Sequence, residues 1–434
     1  CKLAGAHAEL SLAIVAEFTM PQVEILSSGK ISGAQATCLP QRPCWPGRQG
    51  VATKGSGDCG EMAMNEAGFL KSVEVFTQEV IAPKAAGWDR TGQFDVEALR
   101  EAAKLGLLGM ETPVSAGGLG LAFGVKAKVA ETLAAADFGF AMAVINSQNL
   151  TYMLATEAPH LADRYVPDLL TGARLGSTAL TEPQAGSDFA AITTFADKVS
   201  DGWVLNGTKA WIVNTAASDV IAVYAQTRDG AGGAGIGAFL VDGRRAGFQR
   251  SAPVSMTSQH SIGAGGFTLT DYRVAEDEML RAPGHAFKAI LHEINGARIY
   301  VAAMCCGMVG AALEIASDYG RKRQTFGKRL GQHQGWRWTL GEAEVDLAAA
   351  RLMVENASAL MEDGDPQFAA ARAKIFATKM AERHLPALAQ LMGAEGLRDD
   401  YPFSRHLIGA RVAGFVDGST EMLLERLTMR HAKE

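Results

Sequence analysis

Cysteine is scarce in this sequence and has no pattern: there are six, none in a CxxC or a Cys/His metal spacing. The common zinc frameworks and dithiol redox motifs are therefore not expected. Cys305 and Cys306 are neighbours inside an apolar helical run, which reads as a pair of buried thiols. The expectation is a reduced, intracellular protein. Positive charge is not in excess either. The net charge is −6 and the pI about 5.9, so nothing points to nucleic acid as a partner. No uninterrupted apolar run reaches the roughly 18 residues of a membrane span. Intrinsic disorder is excluded by 48% hydrophobic and 20% charged residues. A chain of 434 residues has room for two or three domains around real cores.

The first sixty residues differ from the rest. The chain starts at Cys1, and residues 27–60 are rich in Gly, Ser, Pro and Gln without a period of 2 or 3.6. Leu10 to Phe18 is apolar but short, has acidic flanks and lacks a basic lead, so it is a poor signal peptide. Arginines are too few for a transit peptide. The reading is an irregular extension over 1–63, with the folded part starting near Met62 or Met64 and not needing what precedes it.

Three blocks follow. In 64–175, Phe69, Val73, Phe76 and Val80 recur at helical spacing up to Pro83, which is expected to end the run. Leu99, Ala102, Ala103, Leu105 and Leu107 follow, then a glycine-rich break from Pro113 to Gly120. A helix over about Phe123 to Ala136 and another near Ala141 complete the block. In 176–285 the period changes. Trp203 to Gly207 reads as a strand closing in an Asn-Gly turn. Val220 to Tyr224, Ile236 to Val241 and Phe267 to Asp271 read as further strands. From 286 to 434 the helical period returns. Ile290, Ile294, Val301, Met304, Met308, Ala311 and Ile315 form one stripe, and Leu340 to Met361 and Phe368 to Leu391 are two more long helices. The expected class is α+β: an N-terminal helical domain, a central antiparallel β domain and a C-terminal four-helix bundle.

Several segments have the composition of a site. Leu180 to Asp188 (LTEPQAGSD) is a Pro/Gly loop with a hydroxyl near each end. It could hydrogen-bond a planar heterocycle or be an ordinary loop. Lys209 to Asn214 (KAWIVN) places a Trp where it could stack on a ring or fill the core. Arg323 to Gly327 (RQTFG), with Gln334 beyond, follows a long helix. Its Arg suits a pyrophosphate, or the patch is solvated, since Arg321, Lys322, Lys328 and Arg329 surround it. Gln390 to Gly396 is most simply a helix C-cap. Phe415 to Met422 contains Asp417 and Gly418 ahead of an apolar run. Asp417 is either the N-cap of a last helix or a carboxylate aimed into a pocket.

Taken together, these five motifs, in this order and spacing from about Met64 to Glu434, resemble the acyl-CoA dehydrogenase flavoprotein family. The resemblance implies the α–β–α fold and FAD. Thr178, Ala179, Leu180, Thr181 and Ser187 are implied to wrap the flavin's pyrimidine edge, with Trp211, Ile212 and Val213 beside the ring. Arg323, Gln324, Thr325, Phe326 and Gln334 would hold FAD from a neighbouring subunit. Gln390, Gly393, Ala394 and Gly396 would reach that same cofactor. Ser419 and Glu421 match positions that touch FAD beside the base. Arg298 matches the arginine that organises the base-carrying loop, and Asp417 falls on the base itself, usually Glu. The family's other base position corresponds to Ala297, which cannot take a proton.

The implied reaction is α,β-dehydrogenation of an acyl-CoA thioester, as in fatty acid metabolism, with electrons passing to an electron-transferring flavoprotein. A homotetramer is implied, in the bacterial cytoplasm or the mitochondrial matrix. Three departures qualify this. Asp reaches roughly 1.5 Å less than Glu, so the acyl α-carbon must come closer, or be bulkier or more acidic. Family members acting on alicyclic acyl-CoAs resemble this chain in using Asp. Val213 replaces a Thr near the flavin. Met256 to Gly266 lacks the usual arginine and threonine near the thioester's nucleotide, which leaves open a carrier-protein thioester or other chemistry on the same fold, such as an oxidase. A non-catalytic scaffold or nucleic-acid-binding relative is the alternative of another class.

Overall fold

The computed structural model describes residues 65–228 and 231–429. The extension read over 1–63, and its boundary near Met62 or Met64, lie outside the described residues. The first helices are α1 (Glu66–Phe76), α2 (Ala82–Thr91) and α3 (Val96–Lys104), followed by α4 (Phe123–Ala134), α5 (Phe138–Glu157) and α6 (Pro159–Leu170). Pro83 does not end the first run. It sits in the first turn of α2, and a π-helical turn over Thr77–Ile81 joins α1 to α2. A proline in the first turn lacks only an N–H that needs no partner within its own helix, and the wider π turn accommodates the junction.

The β domain is an eight-stranded sheet. Its strands are β1 (Gly176–Ala179), β2 (Phe195–Val199), β3 (Gly202–Ile212), β4 (Val220–Gln226), β5 (Ile236–Asp242), β6 (Phe248–Arg250), β7 (Gly265–Ala275) and β8 (Met279–Arg281). The order is β6-β7-β3-β2-β4-β5-β8, with β1 beside β4. Pairing is mostly antiparallel, but β1–β4 and the Phe195–Gln226 contact of β2 with β4 are parallel. Every residue of β4 and β5 is buried, as expected of strands covered on both faces. Asn206-Gly207 is not a turn. β3 runs through it as a bulge against β7. Gly207 has φ 151°, and a Cβ there would lie 2.6 Å from Thr194 Cα, so the glycine serves close approach within the sheet.

The C-terminal part is α7 (Ala286–Lys322), a short hairpin of β9 (Gln324–Thr325) and β10 (Lys328–Arg329), then α8 (Gln334–Glu362), α9 (Gln367–Leu391), α10 (Phe403–Phe415) and α11 (Thr420–Thr428). The single stripe expected on α7 understates its burial: every residue from 295 to 309 is buried. α7 is the axis of the bundle, packed by α8, α9 and, from the N-terminal part, α4. A Cβ at Gly307 would overlap the Glu131 carbonyl of α4, so the two backbones touch there. By length and composition α7 could cross a membrane, which the search for uninterrupted apolar runs missed; 72% of that window is buried in the fold. Cys305 and Cys306 are free and buried on this helix, as read.

α10 docks on the end of α4 through buried His406, whose Nε2 lies 3.2 Å from the Ala135 carbonyl. Burial, then the neighbouring Arg405 charge, pulls the imidazole's pKa from 6.5 down to about 3. The folded state therefore keeps His406 neutral where the unfolded chain binds a proton. Its contribution is full above pH 6.5 and is lost as pH falls towards 3. Thermal unfolding should show this acid slope in the wild type. In His406→Gln the slope between those values should flatten, whatever the substitution does to stability at neutral pH.

Candidate active site

The LTEPQAGSD loop leaves β1, and the KAWIVN segment ends β3. Three contacts stitch them together: Lys209 Nζ donates to the Leu180 carbonyl (3.0 Å), Ala210 N donates to the Thr181 carbonyl (3.1 Å), and Ser177 Oγ lies 2.7 Å from the Val213 carbonyl. The loop is held from inside by a buried ion pair, Lys209 Nζ to Glu182 Oε1 at 2.8 Å. Glu182 also accepts from Thr193 N (2.7 Å), Thr194 N (2.9 Å) and Gln184 Nε2 (2.7 Å). Burial alone would push its carboxyl up, but the Lys209 charge and these donors hold it at about 2, so the pair is ionised. With its oxygens saturated, Glu182 is scaffold.

What the loop presents outward is different. Among the described residues, the Thr178, Thr181 and Ser187 hydroxyls make no hydrogen bond within the chain. Trp211, with φ 61°, stands 60% exposed beside Thr181, while Ile212 is buried and Val213 half-buried. Unused donors around an exposed aromatic face are a donor set that fits a planar, hydrogen-bonding ring. Buried Asn214, with φ 64°, donates to the Ala143 carbonyl of α5 (2.8 Å) and so ties this wall to the helices.

Asp417 is linked to α5 through Tyr300. Six residues after Ala143, or about 9 Å along α5, Asn149 Nδ2 reaches the hydroxyl of buried Tyr300 on α7 at 3.5 Å. Tyr300 in turn feels the Asp417 charge. Asp417 and Gly418 are both left-handed, at φ 55° and 93°. Asp417 is not the N-cap of α11. Ser419 is, its hydroxyl accepting from Met422 N at 3.3 Å. Two buried cations fasten the turn: Arg298 of α7 donates to the Asp417 carbonyl (3.0 Å), and Lys374 of α9 donates to the Gly418 carbonyl (2.7 Å). Both hold backbone. Among the described residues the Asp417 carboxylate itself has no hydrogen bond or ion pair. Burial pushes its pKa up, against the pull of Lys374 and then Arg298.

The second set of predicted residues is elsewhere. Arg323 caps the C-terminus of α7, 25 residues beyond Arg298, or about 37 Å along the helix. Phe326 is 96% exposed at the hairpin tip with φ 51°; Arg323, Gln324 and Gln334 are exposed, and Thr325 is half-buried. Gln390, Gly393, Ala394 and Gly396 come to this same end, because Trp336 of α8 packs on Gly320 and donates to the Leu391 carbonyl at 3.3 Å. The residues thus fall into two groups separated by about 37 Å along α7, and one chain does not bring them together. Ser419 and Glu421 lie with the Asp417 group. Sequence reasoning missed Glu182, Tyr300, Asn149 and Lys374.

The segment 256–266 is committed inside the chain. Asp89 accepts from Ser258 Oγ, from Gln259 N (2.9 Å) and from His260 N (3.4 Å), while Gln259 Oε1 accepts from Gly139 N at 2.8 Å.

An α–β–α chain with a donor-rich aromatic wall on the sheet and an unpaired, half-buried carboxylate on the bundle fits a class: oxidoreductases that take hydrogen from carbon beside a bound ring cofactor. Comparison with known proteins narrows this. Family models match in three consecutive parts: acyl-CoA dehydrogenase N-terminal domain (65–173), middle domain (177–272) and C-terminal domain (284–432). The short-chain-specific acyl-CoA dehydrogenase of Megasphaera elsdenii is 31% identical over 365 residues, covering 82% of this chain and 95% of that one. A glutaryl-CoA dehydrogenase of Desulfococcus multivorans is 30% identical over 83% of this chain and 96% of its own. The structure of butyryl-CoA dehydrogenase from Megasphaera elsdenii superposes with a TM-score of 0.81 at 28% identity, covering 87% of this chain and all of that one. The chain belongs to the acyl-CoA dehydrogenase family, flavoprotein oxidoreductases acting on CH–CH bonds.

The Glu182–Lys209 pair gives a direct test of the wall. Glu182→Gln leaves a buried ammonium without its counter-ion and should cost about 3–5 kcal/mol of stability. Adding Lys209→Met should recover much of that loss in chemical denaturation.

Proposed function

We propose that this enzyme dehydrogenates an acyl-CoA thioester between its α- and β-carbons, with Asp417 as the base and FAD as the cofactor. FAD, when bound, accepts the β-hydrogen with its electron pair. Thr178, Thr181 and Ser187 would hydrogen-bond the ring and Trp211 would flank it. Asp417 removes the α-proton and keeps it on a carboxylate oxygen. The observation that carries this reading is that carboxylate: half-buried, unpaired among the described residues, and held through its backbone so that both oxygens stay free. Burial raises its basicity towards that of a working general base. Ala297, one residue before Arg298 and buried, offers no rival base. The short Asp side chain favours acyl groups that are bulkier at the α-carbon, alicyclic ones included.

The separation of the two residue groups along α7 supports a homo-oligomer, in which Arg323, Phe326 and Gln390 of one subunit serve the cofactor of the next. A tetramer is the proposed form. Electrons would then pass to an electron-transferring flavoprotein. A second reading, a thioester on a carrier protein, is favoured by segment 256–266, where the Ser258 hydroxyl and the Gln259 and His260 N–H groups are spent on Asp89. Flavin bleaching under anaerobic conditions, with a panel of acyl-CoAs beside the matching carrier-bound acyl groups, separates the two.

Asp417→Asn should keep FAD but reduce it at least ~100-fold more slowly, the usual cost of a lost general base. Wild-type flavin reduction should rise with pH through the raised Asp417 pKa, because only the ionised carboxylate takes the proton. Asp417→Glu should retain activity and shift preference towards slimmer, straight-chain acyl groups. Reduction of Asp417→Asn at the wild-type rate would overturn the mechanism. Separately, Arg323→Ala should purify with less FAD per subunit while folding normally; full FAD occupancy in that variant would remove the argument for a shared site.

A further inference from the structure

We propose that Lys374 is a positioning residue for the base: its ammonium charge, and not only its hydrogen bond, holds the Asp417–Gly418 turn and opposes the desolvation of the carboxylate. This rests on the reading of Asp417 as the base. Lys374 is 1% exposed on α9, among buried Ala370, Ala371, Ala373, Ile375 and Ala377. Among the described residues its one hydrogen bond goes to the Gly418 carbonyl, and it forms no ion pair. Burying an ammonium against a neutral carbonyl is expensive, and a neutral amide could make the same bond. The charge is therefore unexplained by packing. The bond to the Gly418 carbonyl sets that charge beside Asp417, whose attraction is the largest opposing the effect of burial on Lys374.

The arrangement has a chemical logic. An ion pair would occupy the oxygens that must receive the proton. Lys374 and Arg298 instead bind consecutive carbonyls, so two positive charges flank the carboxylate without contacting it. The titratable and charged groups around the turn are Arg298, Tyr300 and Cys305 from α7, Lys374 from α9, and Glu421 and Arg426 from α11. Arg298 and Lys374 are the cations that act on Asp417. Arg426 acts on Arg298, and Glu421 on Lys374. Burial pulls Lys374 down to about 8, while Asp417 draws it back up.

The test is Lys374→Gln, which keeps an N–H for Gly418 and removes the charge. Single-turnover flavin reduction in the FAD-loaded enzyme is followed against pH, beside an infrared titration of the Asp417 carboxyl band, identified by its loss in Asp417→Asn. The expected result is an acid limb displaced upward by about one pH unit, which is about tenfold slower on the acid side and close to wild type on the alkaline plateau. The carboxyl band should titrate later by the same amount. Lys374→Arg should leave both where they are in the wild type. An equal slowing at every pH, or an unmoved limb and band, means Lys374 is only structural and overturns the proposal. If Lys374→Gln does not fold, Lys374→Arg decides: a limb or band displaced despite the retained charge overturns it. Asp417→Asn at the wild-type rate would instead remove the parent reading, so the two failures are distinguishable.

Discussion

Two buried cations bind two consecutive carbonyls, and the chemistry read from this chain depends on that fastening. Left-handed backbone is unfavourable for a residue with a Cβ, so an Asp at φ 55° persists only where its surroundings over-determine it. Arg298 and Lys374 supply that constraint from α7 and α9, the two helices that pack most extensively against each other. Because both attach to the main chain, the carboxylate is fixed in place without being neutralised. A direct ion pair would have fixed it equally well and deprived it of basicity.

The sheet uses the opposite solution. Glu182 and Lys209 are fully paired, and Glu182 spends its remaining capacity on Gln184 of the loop and on the Thr193 and Thr194 N–H groups just ahead of β2. That makes the loop rigid and leaves its Thr178, Thr181 and Ser187 hydroxyls unspent. The buried Glu182 carboxylate is thus scaffold and the half-buried Asp417 carboxylate a candidate base, and the difference lies in their partners. α5 is tied to both halves, to the sheet wall through Asn214 at the Ala143 carbonyl and to α7 through Asn149 and Tyr300. α7 sets the distance to the second group. A rigid rod of 37 residues places the hairpin carrying Arg323 and Phe326 far from its own chain's Asp417.

Much of this was legible in the residues. The helices α4, α8 and α9 and the strands β4, β5 and β7 follow from hydrophobic period, because each buries one face or both. Elements whose signal is a single residue were misread. Asn206-Gly207 has the composition of a turn, yet the glycine is there because Thr194 passes within van der Waals contact. Pro83 has the composition of a stop, yet a first-turn proline is compatible with continuing. In Asp417-Gly418-Ser419-Thr420 the sequence offers two capping residues, and only the backbone angles assign the cap to Ser419.

Local sequence determined the order of the elements, the α–β–α division, the resemblance carried by the five motifs and the presence of a carboxylate at 417 with none at 297. Those are properties of spacing and side-chain type, which the chain carries in one dimension. Tertiary structure decided which polar groups are spent and which are free. Nothing in the run Ala370 to Ala377 marks Lys374 as different from a solvated lysine on a helix, and nothing in Thr-Glu-Pro says that Glu182 is saturated while the Thr181 hydroxyl is not. The reason is that a group's availability depends on what lies within 3 Å of it and on how much water is excluded. Those neighbours come from segments as far apart as residues 298, 374 and 417, which meet only when the bundle closes.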